Sequence, residues 1–190
     1  ATHSLFELTL LALLGFAVTA GTVMLTQGVR KIPIHTARRT VGAKTYGGQA
    51  SHMPLRVNFS GVMPIIFAGP LLQFPAVILT RINIDRFPWL GWAKWLGGQL
   101  VEMTSAIYLV SFTVLVLFFS FFWVATQFNA MRIADELKRT GGYVPGIRPG
   151  RATAEYLDHT MTRVTLIGAI GLVVIALLPT LLRGQLNLPP

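Results

Sequence analysis

Of 190 residues, 53% are hydrophobic and only 12% charged, with a net charge of +9 and a mean hydropathy of +0.59. A soluble fold of this length has too little interior to hide so much apolar surface, so the composition excludes a soluble domain and selects an integral membrane protein. The absence of cysteine excludes disulfides and thiolate metal sites.

The amino terminus does not read as a signal peptide. Glu7 stands where a basic n-region belongs, and no small-residue cleavage site follows. The abrupt start suggests a fragment. A helix needs roughly 20 apolar residues to cross a hydrocarbon core of about 30 Å. The first span is expected over 5–26, where Leu8 to Thr26 form an uncharged run.

A basic loop follows at 27–56, carrying Arg30, Lys31, Arg38, Arg39, Lys44 and Arg56 with no acid. Its distal part, HTARRTVGAKTYGGQASHMPLRVN, mixes β-branched residues and Gly-Gly with cations. That mixture predicts extended or hairpin-like structure reaching away from the bilayer. The second span, 57–79, holds Pro64, Pro70 and Pro75 together with Asn58 and Gln73. Prolines free backbone carbonyls that lipid cannot satisfy, so this span is expected to be kinked and packed against protein. A bent packing helix and a helix that moves or lines a cavity both fit.

An outer loop over 80–105 includes FPWLGWAKWLGG, whose Trp89, Trp92 and Trp95 are spaced by three. On a short helix they share a face suited to the headgroup boundary. The third span covers 106–126. The loop at 127–163 opens with a predicted helix over 131–139 that Gly141-Gly142 can end. Next comes GGYVPGIRPG, where Pro145 and Pro149 fix φ while Gly146 and Gly150 permit reversals. Arg148 is thereby held on a stiff turn, as suits a guanidinium meeting phosphate or carboxylate at a defined place. A capped turn with a solvated arginine is the alternative. The fourth span is expected over 164–182.

Twelve of the 16 Lys and Arg lie in the two long loops. Because cations resist translocation, those loops are expected in the cytoplasm and both ends of the chain outside. No catalytic or metal site is expected. The four histidines are scattered, no pair has i, i+4 spacing, and the loop acids are placed to pair with neighbouring cations. A secondary transporter is the alternative function, since broken helices also mark substrate sites, but the four apolar spans lack a mid-membrane ionisable group. A membrane-bound enzyme and a nucleic-acid-binding membrane protein are further rivals.

GGYVPGIRPGRATAEYLDHTMTRVTLIGAIGLVVIALLP and YGGQASHMPLRVNFSGVMPIIFA closely resemble the bacterial SecY protein-translocation channels, and nearly the whole chain follows that pattern. The resemblance implies an all-α integral membrane fold, in which this chain corresponds to helices six to nine of a ten-helix channel. It implies a protein-conducting channel in the bacterial plasma membrane that exports secretory proteins and inserts membrane proteins, with no cofactor. Ile66 matches the pore ring. Asn58, Pro64 and Gln73 fall in the lateral-gate helix. Arg38, Arg39, Lys44, Lys138, Arg139, Arg148 and Arg151 fall in loops that dock the ribosome, through its RNA phosphates, or the SecA motor. Further implied partners are SecE and SecG, signal peptides, nascent chains, membrane lipid and the remainder of the channel chain. A departure from the pattern at Ala43, where a basic residue is common, puts the strength of the Lys44 contact in doubt, while those at Ala130 and Glu136 remove no cation and should have mild effects.

Overall fold

The computed structural model describes residues 5–36, 39–41, 44–46, 50–83 and 88–186, with side chains described chiefly over 12–36, 51–83 and 88–182. Helix α1 (Leu5–Gln27) ends in a threonine-rich stretch. Thr19, Thr22 and Thr26 each donate to the carbonyl one turn back, those of Gly15, Val18 and Thr22, at 2.8 Å. Polar side chains satisfied in this way fit a helix that has no water beside it.

Strand β1 (Val29–Thr36) then pairs antiparallel with β4 (Ala50–Arg56), in register from Val29↔Arg56 to His35↔Ala50. Between them β2 (Arg39–Val41) and β3 (Lys44–Tyr46) form a second antiparallel pair. The hairpin expected from this loop is therefore present. Its alternation buries Ile32 and Ile34 while Lys31 and His35 stay exposed.

Helix α2 (Met63–Thr80) begins six residues after the proline-rich span was expected to start, because residues 57–62 form turns and Gly61 has a φ of 62°. Pro64 sits in the first turn, where its missing N–H costs no helical bond. The three prolines do not share an environment. Pro64, Ala68, Leu72 and Ala76 form the buried face, whereas Pro70 is exposed on the other and Pro75 is exposed near the end of the helix. Within this chain Pro64 is the buried proline, and the alanine stripe of Ala68 and Ala76 beside it makes the close contact.

A 3₁₀ turn (Pro88–Leu90) leads into α3 (Gly91–Val101), which lies against α2. The Ser105 hydroxyl caps α4 (Ala106–Gln127) by accepting from the Tyr108 N–H at 3.2 Å, and donates to the Gln99 carbonyl at 2.6 Å. After α5 (Ala130–Arg139) and β5 (Gly142–Tyr143), the last element is α6 (Arg151–Leu186), 36 residues long. The helix starts 13 residues before the apolar span. Ala154, Leu157, Met161 and Val164 explain this, since they recur at helical spacing and are all buried.

Two apolar clusters form among the described residues. The larger joins Ala68, Leu72 and Ala76 of α2 to Leu100 of α3, to Tyr108, Phe112 and Val116 of α4, and to Leu172 and Val173 of α6. The smaller joins Ile32, Leu55, Val144 and Leu157, with Phe128, Ile133 and Ile147 packed around them. Helices α2, α4 and α6 each contain a stretch long and apolar enough to cross a membrane. The helical class thus holds for the apolar segments, and the basic loops add a three-stranded sheet ordered β4-β1-β5.

Candidate docking surface and channel wall

The docking candidates are positioned by backbone geometry that begins at the end of α4. Asn129 caps α5, its side-chain oxygen accepting from the Arg132 N–H at 3.0 Å. Only Ala134 of this helix is buried, and Lys138 and Arg139 lie exposed in the last turn, where the free carbonyls favour cations. The Thr140 N–H closes the helix on the Glu136 carbonyl at 3.0 Å, and Gly141, at φ 72°, reverses the chain.

That reversal lays Gly142 and Tyr143 along the free edge of β1, in register with Thr36 and His35. The fit is close. A Cβ on Gly142 would lie 3.3 Å from Ile34 Cγ2 and 3.4 Å from Leu137 Cδ2. Val144 then enters the smaller apolar cluster, and the Ile147 N–H donates to its carbonyl at 3.1 Å. Arg148 projects from the turn between Gly146 (φ 82°) and Gly150 (φ 106°). Its carbonyl accepts from the buried Thr153 hydroxyl at 2.9 Å, so the backbone is tied down while the guanidinium is exposed.

Arg151 differs from Arg148. Its Nε donates to the Glu155 carboxylate at 3.1 Å, a fully hydrated pair that contributes little to stability but partly answers the charge. Arg39 and Lys44 lie on β2 and β3 and are described in backbone only, while Arg38 lies outside the described residues. The structure therefore brings the β1 hairpin and the Arg148 turn onto one sheet over one apolar cluster. Sequence reasoning missed this union, because a two-residue strand leaves no periodic signal.

The wall candidates divide in two. Ile66 is exposed and lines an open apolar groove of about 540 Å³ with Phe67, Pro70, Leu71 and Phe74. Gln73 is exposed on the same side, beside Phe74 and Val77. Pro64 is buried on the opposite face. Asn58 is also turned inward, being only 5% exposed. Its Oδ1 accepts from the Ser60 hydroxyl at 3.3 Å, and its Nδ2 has no partner. The segment bearing Asn58 rests on α6 at Gly168, where a Cβ would overlap the Val57 carbonyl oxygen and lie 3.6 Å from Asn58 Cα. Gly168 went unremarked in the sequence, where it looks like any glycine of an apolar helix.

Known proteins share this pattern. A family model described as SecY matches residues 1–188. A protein translocase subunit SecY of Chlamydia muridarum is 43% identical over 165 residues, covering 87% of this chain and 35% of the relative. The protein of that name from Streptomyces griseus is 42% identical over 169 residues, covering 89% of this chain and 38% of the relative. One from Mycobacterium bovis is 42% identical, covering 86% and 38% respectively. This chain thus spans little more than a third of the length of these relatives. A match from end to end, carried on long apolar helices joined by basic loops, shows that the chain is a multi-pass membrane protein and belongs to the SecY family.

Proposed function

We propose that the chain forms part of the wall and the cytosolic docking face of a protein-conducting channel in the bacterial plasma membrane. The observation that carries this reading is the pairing of β5 with β1, which mounts the basic hairpin and the Arg148 turn on a shared buried cluster. A firm base of this kind lets cations be presented without a large loss of side-chain and loop entropy when an anionic partner arrives. Ribosomal RNA phosphates and the acidic groups of the SecA motor are the partners of matching chemistry. SecE, SecG and the rest of the channel chain would complete the pore, and signal peptides and nascent chains would pass along α2. The channel is a passive conduit, driven by its partners, with no covalent chemistry and no cofactor of its own.

The proposal is tested by Arg148→Glu in the complete channel. Charge reversal is expected to weaken ribosome or motor binding about tenfold or more at moderate ionic strength and to lower translocation in step. The log-log salt slope of ribosome binding should fall by roughly one. Arg148→Lys keeps the charge but loses the planar fork, so it should lie between. Wild-type binding and translocation by Arg148→Glu would refute the docking role.

The wall is tested separately. In the groove, Ile66→Asn places a hydrogen-bonding amide where only apolar side chains meet, and should raise the resting ion conductance of reconstituted channels severalfold. Leu72→Ala, on the buried face of the same helix, should raise it much less. Equal leak from both variants would mean that Ile66 does not face the conduit.

A further inference from the structure

Three indoles crowd one short element. Trp89 lies in the 3₁₀ turn and Trp92 and Trp95 in α3, and they are 72%, 64% and 61% exposed. Tryptophan has more apolar area to bury than any other side chain, so three such exposures within seven residues mark a surface that something covers. The opposite face of α3, formed by Ala93, Gly97 and Leu100, is buried. Gly97 sets the spacing to α2. A Cβ there would fall 2.7 Å from Leu79 Cβ, 2.9 Å from the Thr80 nitrogen and 3.1 Å from the Ala76 oxygen. Helix α3 is therefore clamped to the last turn of α2.

That turn is the end of α2 away from the basic sheet. Eighteen residues of helix rise about 27 Å, close to the thickness of a hydrocarbon core. Lys94 stands between Trp92 and Trp95 in sequence, Arg81 follows α2 directly, and both are exposed. An amphipathic indole with its own N–H donor, mixed with lysine, suits the level where acyl chains give way to ester carbonyls and phosphates. The core of a protein interface, by contrast, is depleted in lysine.

We infer that α3 binds the headgroup boundary of the bilayer on the face opposite the basic loops and so fixes the depth of the groove-bearing helix α2. The three indoles sit at the carbonyl level, and Lys94 and Arg81 reach lipid phosphates. This rests on the multi-pass membrane assignment and not on the docking role. A channel that failed the Arg148 test would keep its anchor.

The test uses the complete channel complex in phosphatidylcholine vesicles whose acyl chains carry bromine either near the headgroup or near the bilayer centre. Subtracting the emission of the W89F/W92F/W95F variant from that of the wild type isolates these three indoles. Shallow bromine is expected to quench the difference emission about twofold more than deep bromine, with weak quenching by iodide in the buffer. Strong iodide quenching without bromine quenching would place the indoles in water. Quenching by neither would place them under a protein partner. Either result overturns the anchor. The milder W92S/W95S variant leaves Ala93, Gly97 and Leu100 in place. In it a fluorescent label on Ile78→Cys should change its bromine quenching by about twofold as α2 loses its fixed depth. No change would overturn the depth-setting role.

Discussion

Leu157→Ala is expected to weaken the proposed docking of an anionic partner more than tenfold although Leu157 is not one of the docking cations. Leu157 is fully buried at the centre of the smaller cluster, where Ile32 and Leu55 of the hairpin meet Val144 of the Arg148 turn. Removing a buried leucine side chain costs about 2–5 kcal/mol, the upper part of that range applying where the surroundings cannot collapse. Collapse is hindered here, because two neighbours belong to paired strands and a third to a turn held by glycines of fixed φ. The spans pack through the other cluster and should stay folded. The check is a paired measurement: partner affinity in vesicles, and protease nicking near Arg148 and in the hairpin. Affinity should fall by more than tenfold and nicking should rise at both places together. Nicking confined to one of them would mean that the two loops are not one body.

Gly168→Leu should be the most damaging change within the apolar helices. Even the first carbon of a side chain at this position overlaps the Val57 carbonyl oxygen, and the obstacle is backbone that cannot rotate away. Overpacking costs roughly 1–3 kcal/mol when neighbours can adjust. At Gly168 the cost should reach or exceed the top of that range, because relief means pulling the Val57–Asn58 segment off α6. Gly171→Ala is the informative control. Its Cβ would lie 2.7 Å from Leu25 Cδ1, the far end of a flexible side chain that can change rotamer. The midpoint of thermal aggregation in detergent should drop by several degrees for Gly168→Leu and hardly at all for Gly171→Ala. Matching midpoints would show that the segment does not bear on α6 as described.

What the sequence made legible follows from the range of the forces involved. Helix α4 is a long uncharged run, and its expected bounds of 106–126 lie within one residue of those observed. The hairpin was legible from β-branched residues around Gly-Gly, and the end of α5 from Gly141. The start of α6 was not, because Arg151, Glu155, Asp158 and Arg163 mask the buried stripe of Ala154, Leu157 and Met161 on the far face. Residues 57–62 were absorbed into the second span because apolar composition extends through them, whereas Gly61 at positive φ ends any helix there. Asn58 and Pro64 were grouped with Gln73 because all three lie on one stretch of chain. Which way each points depends on contacts with α6, α3 and α4 that no local pattern reports.

The uninterrupted length of α6 has a mechanical consequence. Its 36 residues make a rod of about 54 Å, and its first turn grips the Arg148 carbonyl through Thr153. The only proline within that rod is Pro179, close to the far end. A force that pulls or tilts the arginine turn therefore pushes on a stiff lever whose weak joint lies near its opposite end. Torque applied at that turn is delivered past Gly168, where the lever bears on the segment leading into α2, before it reaches the proline.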